Sequence, residues 1–182
     1  MLFRSVGNKV ETILENIKSH IGKDIYEKII FECGEINDNP TPVKQVKYTT
    51  AIMEKLSQYS IESDIEKAMS SCNCLSTGTV DKAKKLYATS SDFTEFLSKL
   101  NKEHIGGGNL HIEENKVIGI YDHCYCGLAK NAKNLSSIYC YCSVGWFKSL
   151  FSSVLGRDIE VIKRKTILDG TNECVFEIFA LS

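Results

Sequence analysis

Apolar positions repeat with helical spacing through the first hundred residues. Spacings of three and four residues place such positions on one face of an α-helix. A capping box at Asp92 and Glu95 predicts the start of a further helix. The pattern predicts a mainly helical segment over residues 1–104. The apolar sets are Val10, Ile13, Leu14 and Ile17; Ile25, Ile29 and Ile30; Ile61, Ile65 and Met69; and Phe93, Phe96, Leu97 and Leu100.

The pattern changes after the glycines at 106–108. Two apolar stretches, Leu110–Ile112 and Val117–Tyr121, flank a polar turn and predict a β-hairpin. Helical spacing returns from about residue 136 to 155, and Gly156 is suited to end that helix. Two further apolar segments, at about 158–168 and 174–181, meet at Asp169-Gly170 and predict a second hairpin.

These elements predict an α+β fold. A helical N-terminal half is followed by hairpin, helix and hairpin over residues 109–182. An antiparallel sheet with helices packed on one side buries these apolar faces. The 182 residues are enough for one domain with a full core and too few for two of ordinary size. We therefore expect residues 1–182 to form a single domain.

Charge and hydropathy exclude several classes of partner. Lys and Arg number 22 against 23 Asp and Glu, so the net charge of -1 provides no field to hold nucleic acid. No stretch approaches the roughly 18 apolar residues of a membrane span. The N-terminus has no apolar signal region. The sequence predicts a cytoplasmic protein without a nucleic-acid partner or a membrane span.

Six of the eight cysteines form three Cys-x-Cys pairs, at Cys72/Cys74, Cys124/Cys126 and Cys140/Cys142. A reducing compartment favours metal binding or catalysis over disulfides for such a pattern. Two thiolates one residue apart are able to bind a shared metal ion. The second pair ends the first predicted hairpin and the third opens the predicted helix, so we expect these four thiolates to bind zinc. Cys72 and Cys74 are second-rank ligands.

Several alternatives remain open for the cysteines. The same ligands suit an iron–sulfur cluster. Residues two apart on a regular helix point about 200° apart, so Cys140 and Cys142 share an ion only if one precedes the first turn. Buried cysteines also serve as small apolar side chains, and vicinal thiols exchange disulfides. Cys124 or Cys126 paired with a histidine would form a nucleophilic couple.

The C-terminal part of the chain resembles a known domain family. The segment Cys140-Tyr-Cys-Ser-Val-Gly-Trp146, followed by Gly156, Asp169-Gly170 and Cys174, resembles the C-terminal part of the 4-vinyl-reductase domain family. That family is similar in fold to the TRAPP trafficking subunits. The run from Cys124 onward also resembles prokaryotic proteins of unknown function that carry Cys-x-Cys pairs.

The resemblance implies a zinc ion beside a buried small-molecule pocket. The family's helix-start and final zinc cysteines fall on Cys140 and Cys174. Its two remaining ligands fall on Lys163 and Thr166, which cannot take those roles. Under this resemblance Cys124, Cys126 and Cys142 replace the missing ligands. A small apolar molecule would then lie near the pocket residues Trp146, Phe147 and Phe151.

The resulting hypothesis is a metal-binding and small-molecule-binding sensor or accessory domain, with ligands Cys124, Cys126, Cys140, Cys142 and Cys174. It would act through a protein partner or as a homodimer. The first alternative is a hydrolase similar to L-2-amino-thiazoline-4-carboxylate hydrolases, which uses a cysteine or a metal-activated water. The second is a structural protein-interaction domain with inert cysteines. The sequence favours a binding domain without deciding whether the protein is an enzyme.

Overall fold

The computed structural model describes residues 9–34 and 40–181. Within these ranges the chain forms eight α-helices and one four-stranded antiparallel sheet, with most helices in the N-terminal half. The predicted α+β fold is therefore confirmed. The fold contains two compact units. The first comprises the chain up to Cys72 together with Cys126–Tyr141, and the second comprises Asn73–Tyr125 and the chain from Cys142 onward.

The first unit is built from helices whose apolar faces meet in a common core. The predicted apolar stripe of α1 is buried at all four positions, whereas that of α2 is fully buried only at Ile29. Thr41 caps α3 by accepting a hydrogen bond from the Lys44 N–H, which satisfies one free donor of the first turn. Helices of this unit are α1 (Lys9–His20), α2 (Lys23–Cys33), α3 (Pro42–Tyr59), α4 (Glu62–Ser70) and α7 (Gly127–Lys130).

The second unit packs helices on an antiparallel sheet in the order β1-β2-β4-β3. The Asp92 side chain caps α6 as predicted, and the Glu95 carboxylate accepts from the Ser91 N–H rather than from Asp92. Elements of this unit are α5 (Thr77–Ala88), α6 (Phe93–Lys102), β1 (Leu110–Glu113), β2 (Lys116–Tyr121), β3 (Val161–Lys165) and β4 (Cys174–Ile178). The helix α8 (Tyr141–Leu155) lies in this unit from Cys142 onward.

One face of the sheet carries the core of the second unit. Gly119 pairs with Phe176 across β2 and β4, and Tyr121 pairs with Cys174, so these four residues share a face. The Phe147 ring on α8 lies 5.5 Å from the Tyr121 ring and 5.3 Å from the Phe176 ring. This aromatic packing places α8 against the end of β2.

On the opposite face of the sheet, three charged side chains from three strands form a network of ion pairs. The buried Glu177 carboxylate on β4 accepts from Lys116 on β2 at 2.8 Å and from Arg164 on β3 at 2.5 Å. The hydrogen bonds from Arg164 and Lys116 hold the pKa of Glu177 below its usual value. Charge-assisted hydrogen bonds of this kind therefore join three strands.

The second predicted hairpin forms, with shorter strands and a longer connection than predicted. β3 ends at Lys165, a 3₁₀ turn follows at Ile167–Asp169, and β4 begins only at Cys174. The Asp169 carboxylate accepts hydrogen bonds from both the backbone N–H and the hydroxyl of Thr166. This local capping box replaces a tight two-residue turn.

The predicted helix over residues 136–155 begins with a 3₁₀ turn. Ser137–Cys140 forms that turn, and the regular helix α8 starts at Tyr141. No helix within the described ranges is both long and apolar enough to cross a membrane.

Candidate functional site

The predicted metal ligands are divided between the two units. Each Cys-x-Cys pair contributes one cysteine to each unit. Within residues 9–34 and 40–181, no three His, Cys, Asp or Glu side chains are arranged to hold a metal ion. The metal site therefore stays a prediction. The first unit holds Cys72, Cys126 and Cys140, and the second holds Cys74, Cys124, Cys142 and Cys174.

Burial differs among these cysteines. Cys140, Cys142 and Cys174 are buried, and Cys124 and Cys126 are half-buried. In the second-rank pair, Cys72 is buried and Cys74 is exposed. The half-buried thiols combine partial shielding from water with access for a small reactant.

Cys126 lies in a cluster of titratable groups within the first unit. It immediately precedes α7, and its sulfur lies 3.6 Å from the Lys9 ammonium nitrogen. The Tyr139 hydroxyl oxygen is 3.2 Å from the same sulfur. Lys9 also lies 5.0 Å from the centre of the Tyr139 ring. Three side chains from α1, the start of α7 and the following 3₁₀ turn thus meet at one point.

The surroundings of Cys126 favour its thiolate. Burial raises the pKa of this thiol, but the Lys9 charge and the hydrogen bond from Tyr139 lower it. The backbone N–H groups of Ala129 and Leu128 lower it further, so the pKa lies below the usual value for cysteine. The thiolate is the form of cysteine that acts as a nucleophile and as a metal ligand.

Two other cysteines of the first unit have different surroundings. Cys72 is buried, donates to the Ala68 carbonyl at 3.3 Å and accepts from the Asn16 amide at 3.4 Å. Cys33 is half-buried like Cys126, but burial raises its pKa. Partial burial alone therefore does not account for the lowered pKa of Cys126.

Three cysteines of the second unit act electrostatically on Tyr121. Burial raises the pKa of Tyr121 well above its usual value, and the negative charges of Cys142, Cys74 and Cys174 raise it further. Cys174 is the cross-strand partner of Tyr121, and its sulfur accepts a hydrogen bond from the Ile167 N–H at 3.3 Å. Burial raises the pKa of Cys174, and Cys124 adds to this effect.

The predicted pocket residues belong to the aromatic core of the second unit. Phe147 and Phe151 are fully buried, and Trp146 is half-buried with its ring 5.3 Å from that of Phe147. The Phe151 ring lies 6.4 Å from the rings of both Phe93 and Phe96. These contacts account for the burial of the predicted pocket residues. An apolar ligand beside them stays a prediction.

Sequence reasoning singled out Cys126 but missed its two partners. Lys9 precedes Cys126 by 117 positions, and no spacing rule connects residues so far apart. Tyr139 directly precedes Cys140 and so lies just outside the Cys-x-Cys motif. A Cys-x-Cys pattern predicts sulfur ligands, and it does not indicate that a neighbouring tyrosine hydroxyl contacts one of the cysteines.

Comparison with known proteins assigns this chain to a family without assigning it an activity. A family model described as a family of unknown function, DUF6144, matches residues 3–182. No curated protein matches the sequence.

Proposed function

The chain belongs to DUF6144, a family of unknown function, and we propose that it is a thiol-dependent hydrolase with Cys126 as its nucleophile. One observation carries this proposal: the Cys126 sulfur lies 3.6 Å from the Lys9 ammonium and 3.2 Å from the Tyr139 hydroxyl. A neighbouring cation and a hydrogen bond stabilise a thiolate at neutral pH. This choice develops the hydrolase alternative that the sequence left open.

The chemistry fits a carbonyl or amidine carbon as the electrophile. The Cys126 thiolate forms a bond to this carbon, and the π electron pair moves onto the attached oxygen or nitrogen. Collapse of the intermediate breaks the bond to the leaving group, which takes a proton from the Lys9 ammonium. Water then adds to the bound carbon, returns a proton to Lys9 and releases the Cys126 thiolate.

Tyr139 acts as a positioning residue in this scheme. Its side chain is only 1% exposed, so it lies behind the sulfur rather than on the side open to a substrate. Its hydrogen bond fixes the orientation of the Cys126 side chain and stabilises the sulfur when it leaves as a thiolate. A chain with eight cysteines suits a reducing compartment when thiol chemistry is its function, so the proposal places the protein in the cytoplasm.

A burst experiment with 4-nitrophenyl acetate tests the proposal. We expect a rapid release of about one equivalent of nitrophenolate per chain, with an acetyl group on Cys126 in the mass spectrum. Cys126→Ser should abolish the burst. Cys33→Ser, which removes a half-buried thiol of the same unit, should retain it. A burst that persists in Cys126→Ser, or no burst in the unmodified protein, would refute the nucleophile.

A second candidate function is a metal-binding sensor or accessory domain, which the Cys-x-Cys pairs of the sequence favour. Zinc bound to Cys74, Cys124, Cys142 and Cys174 would form a closed tetrahedral thiolate site, although the described structure does not arrange these side chains as a metal site. Three of these residues belong to the ligand set that the sequence predicted. This candidate also follows the resemblance to 4-vinyl-reductase domains, whose output would pass to a protein partner or a second copy.

Elemental analysis decides this second candidate. Protein purified without chelators should contain about one equivalent of zinc, and Cys174→Ser should lose both zinc and thermal stability. Cys126→Ser is the matched control and should keep its zinc, because this candidate does not use Cys126 as a ligand. Metal-free protein that keeps its fold would remove the candidate.

A further inference from the structure

An open surface pocket of about 510 Å³, lined by polar residues, lies in the first unit, and none of these residues has a role assigned above. One wall is the side of α3 that carries Thr50, Glu54, Ser57 and Gln58, and the other wall carries Asn134 and Ser136. Spacings of four, three and one residues place the α3 side chains along one face of the helix. The volume lies within the range of small-molecule sites.

The lining is rich in hydrogen-bond acceptors. Thr50 donates its hydroxyl to the Val46 carbonyl at 2.9 Å, and Ser57 donates to the Met53 carbonyl at 3.0 Å. Because both hydroxyl protons are used within α3, these oxygens offer lone pairs to a ligand. The amide oxygens of Gln58 and Asn134 add further acceptors.

The lining also carries one negative charge and no positive charge. Glu54 is exposed, and among the described residues its carboxylate makes no ion pair. Lys55, the next residue, pairs instead with Glu32 at 2.8 Å. A ligand with an ammonium group would therefore meet an unpaired carboxylate, and its hydroxyl groups would meet the surrounding acceptors.

We propose that this pocket binds a small hydroxylated amine, with Glu54 recognising the ammonium group. The proposal does not depend on the chemistry of Cys126. The proposed ligand is polar and charged, unlike the apolar molecule predicted beside Trp146. An amino sugar has the required combination of one cation and several hydroxyl donors.

Glucosamine and glucose provide a matched pair of probes, because they differ in the amino group. In an NMR titration, we expect glucosamine to shift the side-chain amide signals of Gln58 and Asn134 at about tenfold lower concentration than glucose. Glu54→Gln should remove this preference while leaving the weak effect of glucose unchanged. Glu66→Gln, on α4 of the same unit, should keep the preference and serves as the control.

The other outcomes overturn the proposal. These are equal responses to both sugars, no response to either sugar, and a glucosamine preference that survives in Glu54→Gln. Circular dichroism of each variant confirms that the helices are intact. Glu54 is exposed on α3, so its replacement by glutamine should not disturb folding.

Discussion

Replacing Lys9 by methionine will slow the alkylation of Cys126 by iodoacetamide at pH 7 by on the order of tenfold. The Lys9 ammonium lies 3.6 Å from the Cys126 sulfur and lowers its pKa. Removing this charge raises the pKa and so reduces the fraction of thiolate at neutral pH. Methionine keeps a long apolar stem, so the packing of α1 is preserved. Mass spectrometry of tryptic peptides gives the rate at each cysteine.

The pH dependence separates this electrostatic effect from a change in access. At a pH above both pKa values, Cys126 is a thiolate in either protein, so the two rates should converge. Lys18→Met removes an exposed charge from the same helix and should leave the rate at Cys126 unchanged. An unchanged rate in Lys9→Met at pH 7 would show that Lys9 does not sustain the thiolate.

Gly107→Ala will destabilise the second unit by about 2–5 kcal/mol. Gly107 has φ of +88°, in the left-handed region that residues with a Cβ rarely adopt. An added Cβ would lie 2.5 Å from Cδ1 of Tyr121 and 2.9 Å from the Ile120 carbonyl oxygen. The Tyr125 hydroxyl also donates to the Gly107 carbonyl at 3.0 Å. Alanine therefore adds both backbone strain and a clash at the end of β2.

Urea denaturation followed by circular dichroism measures this loss in the free energy of unfolding. The matched control is Gly78→Ala in α5, where the nearest contact of an added Cβ is the Ser76 hydroxyl at 3.9 Å. That control should stay within about 0.5 kcal/mol of the unmodified protein or gain slightly, because alanine favours helix. Equal stability of the two variants would contradict the described geometry at Gly107.

The strands of the sheet were predictable because short apolar stretches are bounded by polar turn residues. Val117, Ile118 and Phe176 all reach the core, as their patterns indicate. The turn before β4 was not predictable from that pattern. The conformation of this turn depends on hydrogen bonds between Thr166 and Asp169. The pattern of apolar and polar residues does not report such contacts.

The apolar stripe of α2 predicted burial correctly at only one of its three positions. Ile29 is fully buried, but Ile25 and Ile30 remain partly exposed. Helical spacing shows that apolar side chains share a face, and it does not show how much of that face another element covers. Coverage depends on tertiary packing, which a single sequence does not reveal.

The cysteine pattern drew attention to Cys126 without revealing the groups around it. Each Cys-x-Cys pair is divided between the two units, and the shared metal site predicted for Cys124, Cys126, Cys140 and Cys142 stays a prediction. Cys140 ends the 3₁₀ turn that precedes α8, whereas Cys142 lies in the first turn of α8. The groups that distinguish Cys126 are Lys9 and Tyr139, and Lys9 comes from a distant part of the chain.

The rate of alkylation of the unmodified protein across a range of pH tests the central claim most directly. Cys126 and Cys33 are both half-buried and both belong to the first unit, so they form an internal comparison. The pKa of Cys126 is lowered and that of Cys33 is raised. We therefore expect the rate at Cys126 to reach half its maximum at a lower pH than the rate at Cys33. A midpoint for Cys126 equal to or above that of Cys33 would contradict a thiolate nucleophile.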